Sequence, residues 1–165
     1  MKDVTNTQDL ALLSQVAAFI WAEADMLDAK AYEDWLELWT KDGLYIMPMG
    51  EGEDYANSLN LCYDNDKMRR DRIGRFRQGF SISSAPAAQT VRAMSRFVIE
   101  KVEGDAVTVR CAEQLVEDKF GRQRLFAANT TYTLIRQPDG GFKIAQKVAR
   151  LLNSDGMLTS LSYLF

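Results

Sequence analysis

Residues 92–117, RAMSRFVIEKVEGDAVTVRCAEQLVE, hold two runs rich in Val, Ile and Phe on either side of Glu103-Gly104-Asp105. That is the composition of two strands joined by a tight reversal. Working outward, turn signals recur around Gly121 and at Pro138-Asp139-Gly140-Gly141. The spacing predicts an antiparallel meander of four long strands: Arg92–Val102, Ala106–Glu117, Arg122–Arg136 and Phe142–Asn153. Upstream the period changes to three and four. Leu10, Leu13, Ala17, Ile20, Ala24 and Leu27 form the stripe of an amphipathic helix, with Thr5 and Gln8 as its capping box. Asp28 is placed to cap a second helix through Tyr32, Trp35, Leu36 and Trp39, which Asp42-Gly43 ends. Leu44–Pro48 and Leu59–Tyr63 then fit short strands around an acidic loop, Met49–Ser58, and Asp64 opens a charged helix whose apolar positions are Met68, Ile73 and Phe76. Helices first and a long sheet second is an α+β arrangement, with helices covering one sheet face in a single domain spanning 1–165.

The composition narrows the function classes. The chain has 165 residues, 47% hydrophobic and 26% charged, as in an ordinary globular domain. A net charge of −3 provides no field for nucleic acid or anionic membranes. There is no His, which rules out a Ser/His/Asp triad, an imidazole base and any His-ligated iron or zinc in this chain. Cys62 and Cys111 lie too far apart in sequence for a metal-ligand motif and are expected to be small buried thiols in a reducing compartment. The amino-terminal residues lack a secretory core, and the run Val16–Ala22 is too short to span a bilayer, so the expected location is the cytoplasm.

Two features point to protein partners. A sheet with one wet face should carry polar side chains at every second position. Here Phe97, Ile99, Val107, Val109, Cys111 and Leu115 fill one phase, while Met94, Val98, Val102, Ala112 and Val116 fill the other. Helices can cover only one face, so the second is expected to meet another copy or a different subunit. The apolar stretch Leu158–Phe165 must also dock, either on its own sheet edge or at a subunit boundary, making Leu164 and Phe165 interface candidates. Between Asp64 and Arg77 stand six cations and three anions. Local ion pairs on a solvated helix would account for them, as would docking of Arg69, Arg72 and Arg75 onto an acidic partner.

Several stretches carry a family resemblance: Glu23-Ala24-Asp25-Met26-Leu27-Asp28, Tyr32–Leu38, Asp42, Tyr45-Ile46-Met47-Pro48, Cys62-Tyr63-Asp64-Asn65, Arg75-Phe76, Arg92, the turn at Gly104, and Lys143–Leu152. In order and spacing the chain resembles the small (β) subunits of aromatic-ring-hydroxylating, Rieske-type dioxygenases over nearly its whole length. The resemblance implies a cone-shaped fold of the nuclear-transport-factor-2-like (cystatin-like) superfamily and a noncatalytic, supporting role in degradation of aromatic compounds. It implies a large (α) subunit as partner, trimeric self-association, and a complex of three α and three β subunits. It places the Rieske [2Fe–2S] cluster and the mononuclear iron in the large subunit, with no catalytic, cofactor or metal residue here. The absence of His agrees independently, since a Rieske centre and a facial triad each require two. The stretch Ala85–Arg92, Ser95-Arg96 and Ala127-Ala128-Asn129 depart from the family pattern.

The competing reading is a stand-alone cone enzyme of isomerase or dehydratase type, or a small-molecule-binding module, with Tyr32, Tyr45 and Glu113 as pocket polar groups. Glu113 falls in phase with Val109, Cys111 and Leu115. An inward carboxylate there must be paired or hydrogen-bonded, turned outward by a bulge, committed to a subunit contact, or used as a general base.

Overall fold

The computed structural model describes residues 7–82, 87–152 and 165, with side chains described for 10–79, 87–152 and 165. In chain order the elements are α1 (Thr7–Asp28), α2 (Tyr32–Leu36), β1 (Trp39–Pro48), β2 (Asn60–Asp64), α3 (Asp66–Ile82), β3 (Gln89–Glu103), β4 (Ala106–Lys119), β5 (Arg122–Arg136) and β6 (Phe142–Leu151). The strands make one six-stranded sheet in the order β2-β1-β6-β5-β4-β3. Among the described residues only the β1–β6 pairing is parallel and the other four are antiparallel, so the expected meander is present as β3 to β6.

Local chemistry explains the hairpins. Between β4 and β5 the two-residue turn Phe120-Gly121 has φ of 53° and 70°, a pair of positive angles that matches the twist of the flanking strands. Gly121 adopts this freely, and Phe120 is carried with it, its ring largely exposed.

α1 lies across the inner face. Val16, Ala17, Ile20, Ala24 and Leu27 are buried, with Trp35, Trp39, Tyr45, Val109, Leu115, Tyr132, Leu134 and Ile144 in the same core. Trp21 Nε1 donates to the Met94 carbonyl at 3.1 Å and its ring meets Phe97 edge-on at 5.6 Å, fixing the helix to β3. Leu10, assigned to the buried stripe from its spacing, is half exposed, whereas Val16 and Glu23 are buried in its place. The Leu10–Asp28 segment is also long and apolar enough to cross a membrane, which the short run Val16–Ala22 had concealed. Its buried stripe and the ion pair of Glu23 described below are those of a core helix.

Three expectations need correction. The second helix ends at Leu36, because from Trp39 the chain pairs with β6: the Ile144 N–H donates to the Leu38 carbonyl at 2.7 Å and Trp39 aligns with Ile144. Gly43 therefore sits inside β1, at the register shift between Trp39 and Leu44. A Cβ there would lie 2.8 Å from the Ile144 carbonyl oxygen, so the close approach of two strands, not a helix cap, is what requires glycine. Asp28 does not cap α2, whose N-cap is Ala31. Finally, Met94 is not on the face opposite Phe97 and Ile99. The β3–β4 register shifts between Ser95 and Val98, placing Arg96 and Phe97 together opposite Cys111, and Arg96 has a φ of 55°. This bulge reverses the alternation, so Met94 before it and Phe97 and Ile99 after it all face the core.

Candidate functional site

Polar side chains are built into the concave face as an interlocked network. Glu23 of α1 is buried at the centre: its Oε1 accepts from Lys147 Nζ at 2.9 Å and Trp35 Nε1 at 3.0 Å, and its Oε2 accepts from the Tyr132 hydroxyl at 2.6 Å. One carboxylate thus joins α1, α2, β5 and β6. At the end of α1, Asp28 Oδ1 accepts from Thr90 Oγ1 at 2.8 Å and Oδ2 from the Arg92 backbone N–H at 2.8 Å, and the Arg92 guanidinium pairs with the same carboxylate. Arg92 Nε lies 3.8 Å from Glu113 Oε1, and Thr130 Oγ1 donates to Glu113 Oε2 at 3.2 Å. The result is a chain of charge from α1 through β3 and β4 to β5.

Glu113 accordingly points inward, as its phase predicted, and it is paired and hydrogen-bonded rather than turned out. Burial is the main cause that raises its pKa above the ordinary carboxylate value; Lys147 and Arg92 pull the other way. Tyr132 is held well above the usual phenol value, first by burial and then by Glu23. Cys62 and Cys111 are both buried free thiols; burial pushes Cys111 up to about 12 and Cys62 higher, leaving neither as a ready nucleophile.

The other predicted pocket groups stand apart from this network. Tyr32 is buried with its ring 6.0 Å from Phe76. The Tyr45 hydroxyl donates to Met47 Sδ at 3.1 Å and accepts from the Phe165 N–H at 3.0 Å. Glu23, Lys147 and Tyr132 were missed. Glu23 was legible, since it occupies the buried stripe between Ile20 and Leu27. Lys147 was not: a register shift between Thr133 and Leu134 flips the phase of β6, so that Ile144 and then Lys147, Ala149 and Leu151 face inward.

The arginine-rich helix separates into different roles. Arg69 is fully buried, its guanidinium 4.1 Å from the Trp39 ring centre and donating to the carbonyls of Gly43 and Asp64; burial lowers its pKa to about 10. Arg72 binds both oxygens of Asp64, at 2.6 and 3.0 Å, and Cys62 Sγ at 3.3 Å. As interface candidates both were weighed against a solvated helix with local ion pairs, and they are instead struts between α3 and the β1–β2 edge, because they end on buried carbonyls and a buried carboxylate. Lys67–Asp71 and Arg70–Asp66 are local ion pairs at 2.7 and 3.0 Å, and Arg77 pairs with Glu33 of α2 at 2.7 Å. Arg75 remains exposed on the helix. Phe165 is fully buried, and Leu164 lies outside the described residues.

The outer face of the sheet carries the apolar surface anticipated from the two-sided strands. Val91 aligns with Val116, and Val116 with Leu125, forming a row across β3, β4 and β5. Val91 and Leu125 are 66% and 65% exposed, and Val98, aligned with the exposed Arg110, continues the series along β3; a second register shift, between Ile99 and Lys101, pairs Val102 with the buried Val107 and so takes it off this face.

A sequence model of the ring hydroxylating beta subunits matches residues 22–155. The chain belongs to that family. Relatives of this β subunit include the β subunit of benzoate 1,2-dioxygenase from Acinetobacter baylyi, 26% identical over 66% of the chain and 68% of that protein. The small oxygenase component of the p-cumate 2,3-dioxygenase system from Pseudomonas putida is 27% identical over 87% of the chain and 83% of its own length. Among solved structures, the benzoate 1,2-dioxygenase β subunit from Burkholderia mallei superposes with a TM-score of 0.78 at 24% identity, covering 99% of this chain and 100% of that one. An NTF2-like protein with a cystatin-like fold from Novosphingobium aromaticivorans gives 0.61 at 17% identity, over 99% and 100%. The α+β fold, helices packed on a curved six-stranded sheet, is therefore of the cystatin-like kind that the resemblance implied.

Proposed function

We propose that this β subunit supports a large, iron-bearing α subunit of a multicomponent aromatic-ring-hydroxylating dioxygenase, in a cytoplasmic complex of three α and three β subunits. The family match over residues 22–155 carries the reading. Two physical observations support it. The exposed row Val91, Val116 and Leu125 is an apolar surface of the kind that protein partners cover. In the cone, Glu23 accepts from three donors and is committed to structural bonds, while Glu113 is held by Thr130 through Oε2 and has Arg92 Nε 3.8 Å from its Oε1, a buried oxygen with no hydrogen-bond partner among the described residues. The commitment of Glu23 disfavours the stand-alone isomerase or dehydratase. A Rieske cluster and a facial-triad iron each need two imidazoles, and with no His this chain's residues do not fit either group. Both irons are assigned to the α subunit.

The deciding experiment is co-expression with a Rieske-type large subunit, followed by light scattering of the purified complex. Equal stoichiometry with the expected mass supports the proposal. A strictly monomeric chain that ignores the large subunit, or turnover of an aromatic substrate by the isolated chain, refutes it.

A further inference from the structure

Phe165 is held as a ligand is held. Its ring is fully buried and meets Phe126 of β5 edge-to-face, with centroids 6.0 Å apart at 84°. Its peptide N–H donates to a side chain, the Tyr45 hydroxyl at 3.0 Å. That hydroxyl is itself fixed, donating to Met47 Sδ at 3.1 Å, while the Tyr45 ring stands edge-on to Trp35 and Trp39 at 6.3 and 6.1 Å. The walls of the seat are thus preorganised by contacts that do not involve Phe165. Between β1, which carries Tyr45, and β5, which carries Phe126, runs β6, and the inward residues Ala149 of β6 and Ala128 of β5 are small and buried. Edge-to-face packing against Phe126 favours an aromatic occupant.

We infer that the seat formed by Tyr45, Met47 and Phe126 is a binding site for a single unfused aromatic ring, which the chain fills with its own Phe165. The site is distinct from the Glu23–Lys147 network and from the outer-face surface, so it stands or falls separately from the assembly proposal. An apolar cavity of this kind stays dry when emptied and accepts a benzene-sized guest.

The test uses the full chain with Phe165→Ala and benzene as the probe. The variant should melt lower than the parent, and benzene should raise its midpoint saturably, by roughly 4 °C at tenfold over its Kd. The parent should show no rise, since its seat is full. The Met47 methyl and Tyr45 ring signals should shift on titration in the variant alone. In Phe165→Leu, which refills part of the volume, the benzene effect should shrink. If Phe165→Ala does not fold unaided, refolding in benzene should recover it. No rise and no recovery, or an equal rise in parent and variant, overturns the inference.

Discussion

Glu23 shows how much one buried side chain can organise. It accepts three hydrogen bonds from three elements, and Lys147, itself buried, has it as an ion-pair partner. Removing one member of such a pair leaves an uncompensated charge in a low-dielectric interior, which costs about 3–5 kcal/mol. Lys147→Met and Glu23→Gln should therefore each lower stability by about that amount in chemical denaturation, the first leaving the carboxylate and the second the ammonium uncompensated. Glu113 makes the opposite prediction. Because burial raises its pKa, the folded state retains a proton that the unfolded chain releases near about pH 4.3. Its contribution to stability is thus greatest at low pH and declines as pH rises from there through the raised folded value. Glu113→Gln keeps the Thr130 hydrogen bond and cannot ionise. Thermal melts from about pH 4 to 8 should show the variant gaining on the parent as pH rises; parallel curves would mean that Arg92 and Lys147 fully compensate the charge.

At the scale of elements, strand interruptions govern which residues meet. Gly43 allows β1 to pass within touching distance of β6, and Gly43→Ala would set a Cβ 2.8 Å from the backbone oxygen of Ile144, where no flexible side chain can yield. A loss of about 1–3 kcal/mol is expected, read from the denaturant midpoint. The bulge at Arg96 is held by a left-handed backbone that disfavours any residue with a Cβ. Arg96→Gly should be tolerated, changing stability by no more than about 1 kcal/mol, whereas Arg96→Val should lose more than that.

For the whole molecule, the testable property is the exposed face. Val116→Asp places a charge at the centre of the Val91–Val116–Leu125 row without touching the core. Its melting point as an isolated chain should stay near the parent's, while association measured by light scattering should weaken at least tenfold. Unchanged association would move the interface elsewhere. Arg75→Glu tests the one interface candidate of α3 that stays exposed: slower assembly with a weaker salt dependence would place it on an acidic partner, and unchanged kinetics would leave it solvated.

The sequence by itself determined the fold class, the four-strand meander, the place of Glu113 in the apolar phase of its strand and the exclusion of His-ligated metal centres in this chain, because periodicity, turn chemistry and residue inventory are local properties. Its resemblance to ring-hydroxylating β subunits pointed to the family that the model match establishes. Tertiary structure alone decided the rest. The parallel pairing of β1 with β6 converted Trp39–Gly43 from helix to strand, and two register shifts, at Arg96 in β3 and opposite Thr133 in β6, reversed the alternation that period-two reading depends on. Lys147 became a core residue and Arg69 a strut for the same reason: a long cationic side chain goes inward only where the fold brings it a carboxylate or carbonyls to meet. Those partners, Glu23 for Lys147 and Gly43 and Asp64 for Arg69, lie 124, 26 and 5 residues away, and no local pattern encodes a meeting across the first two distances.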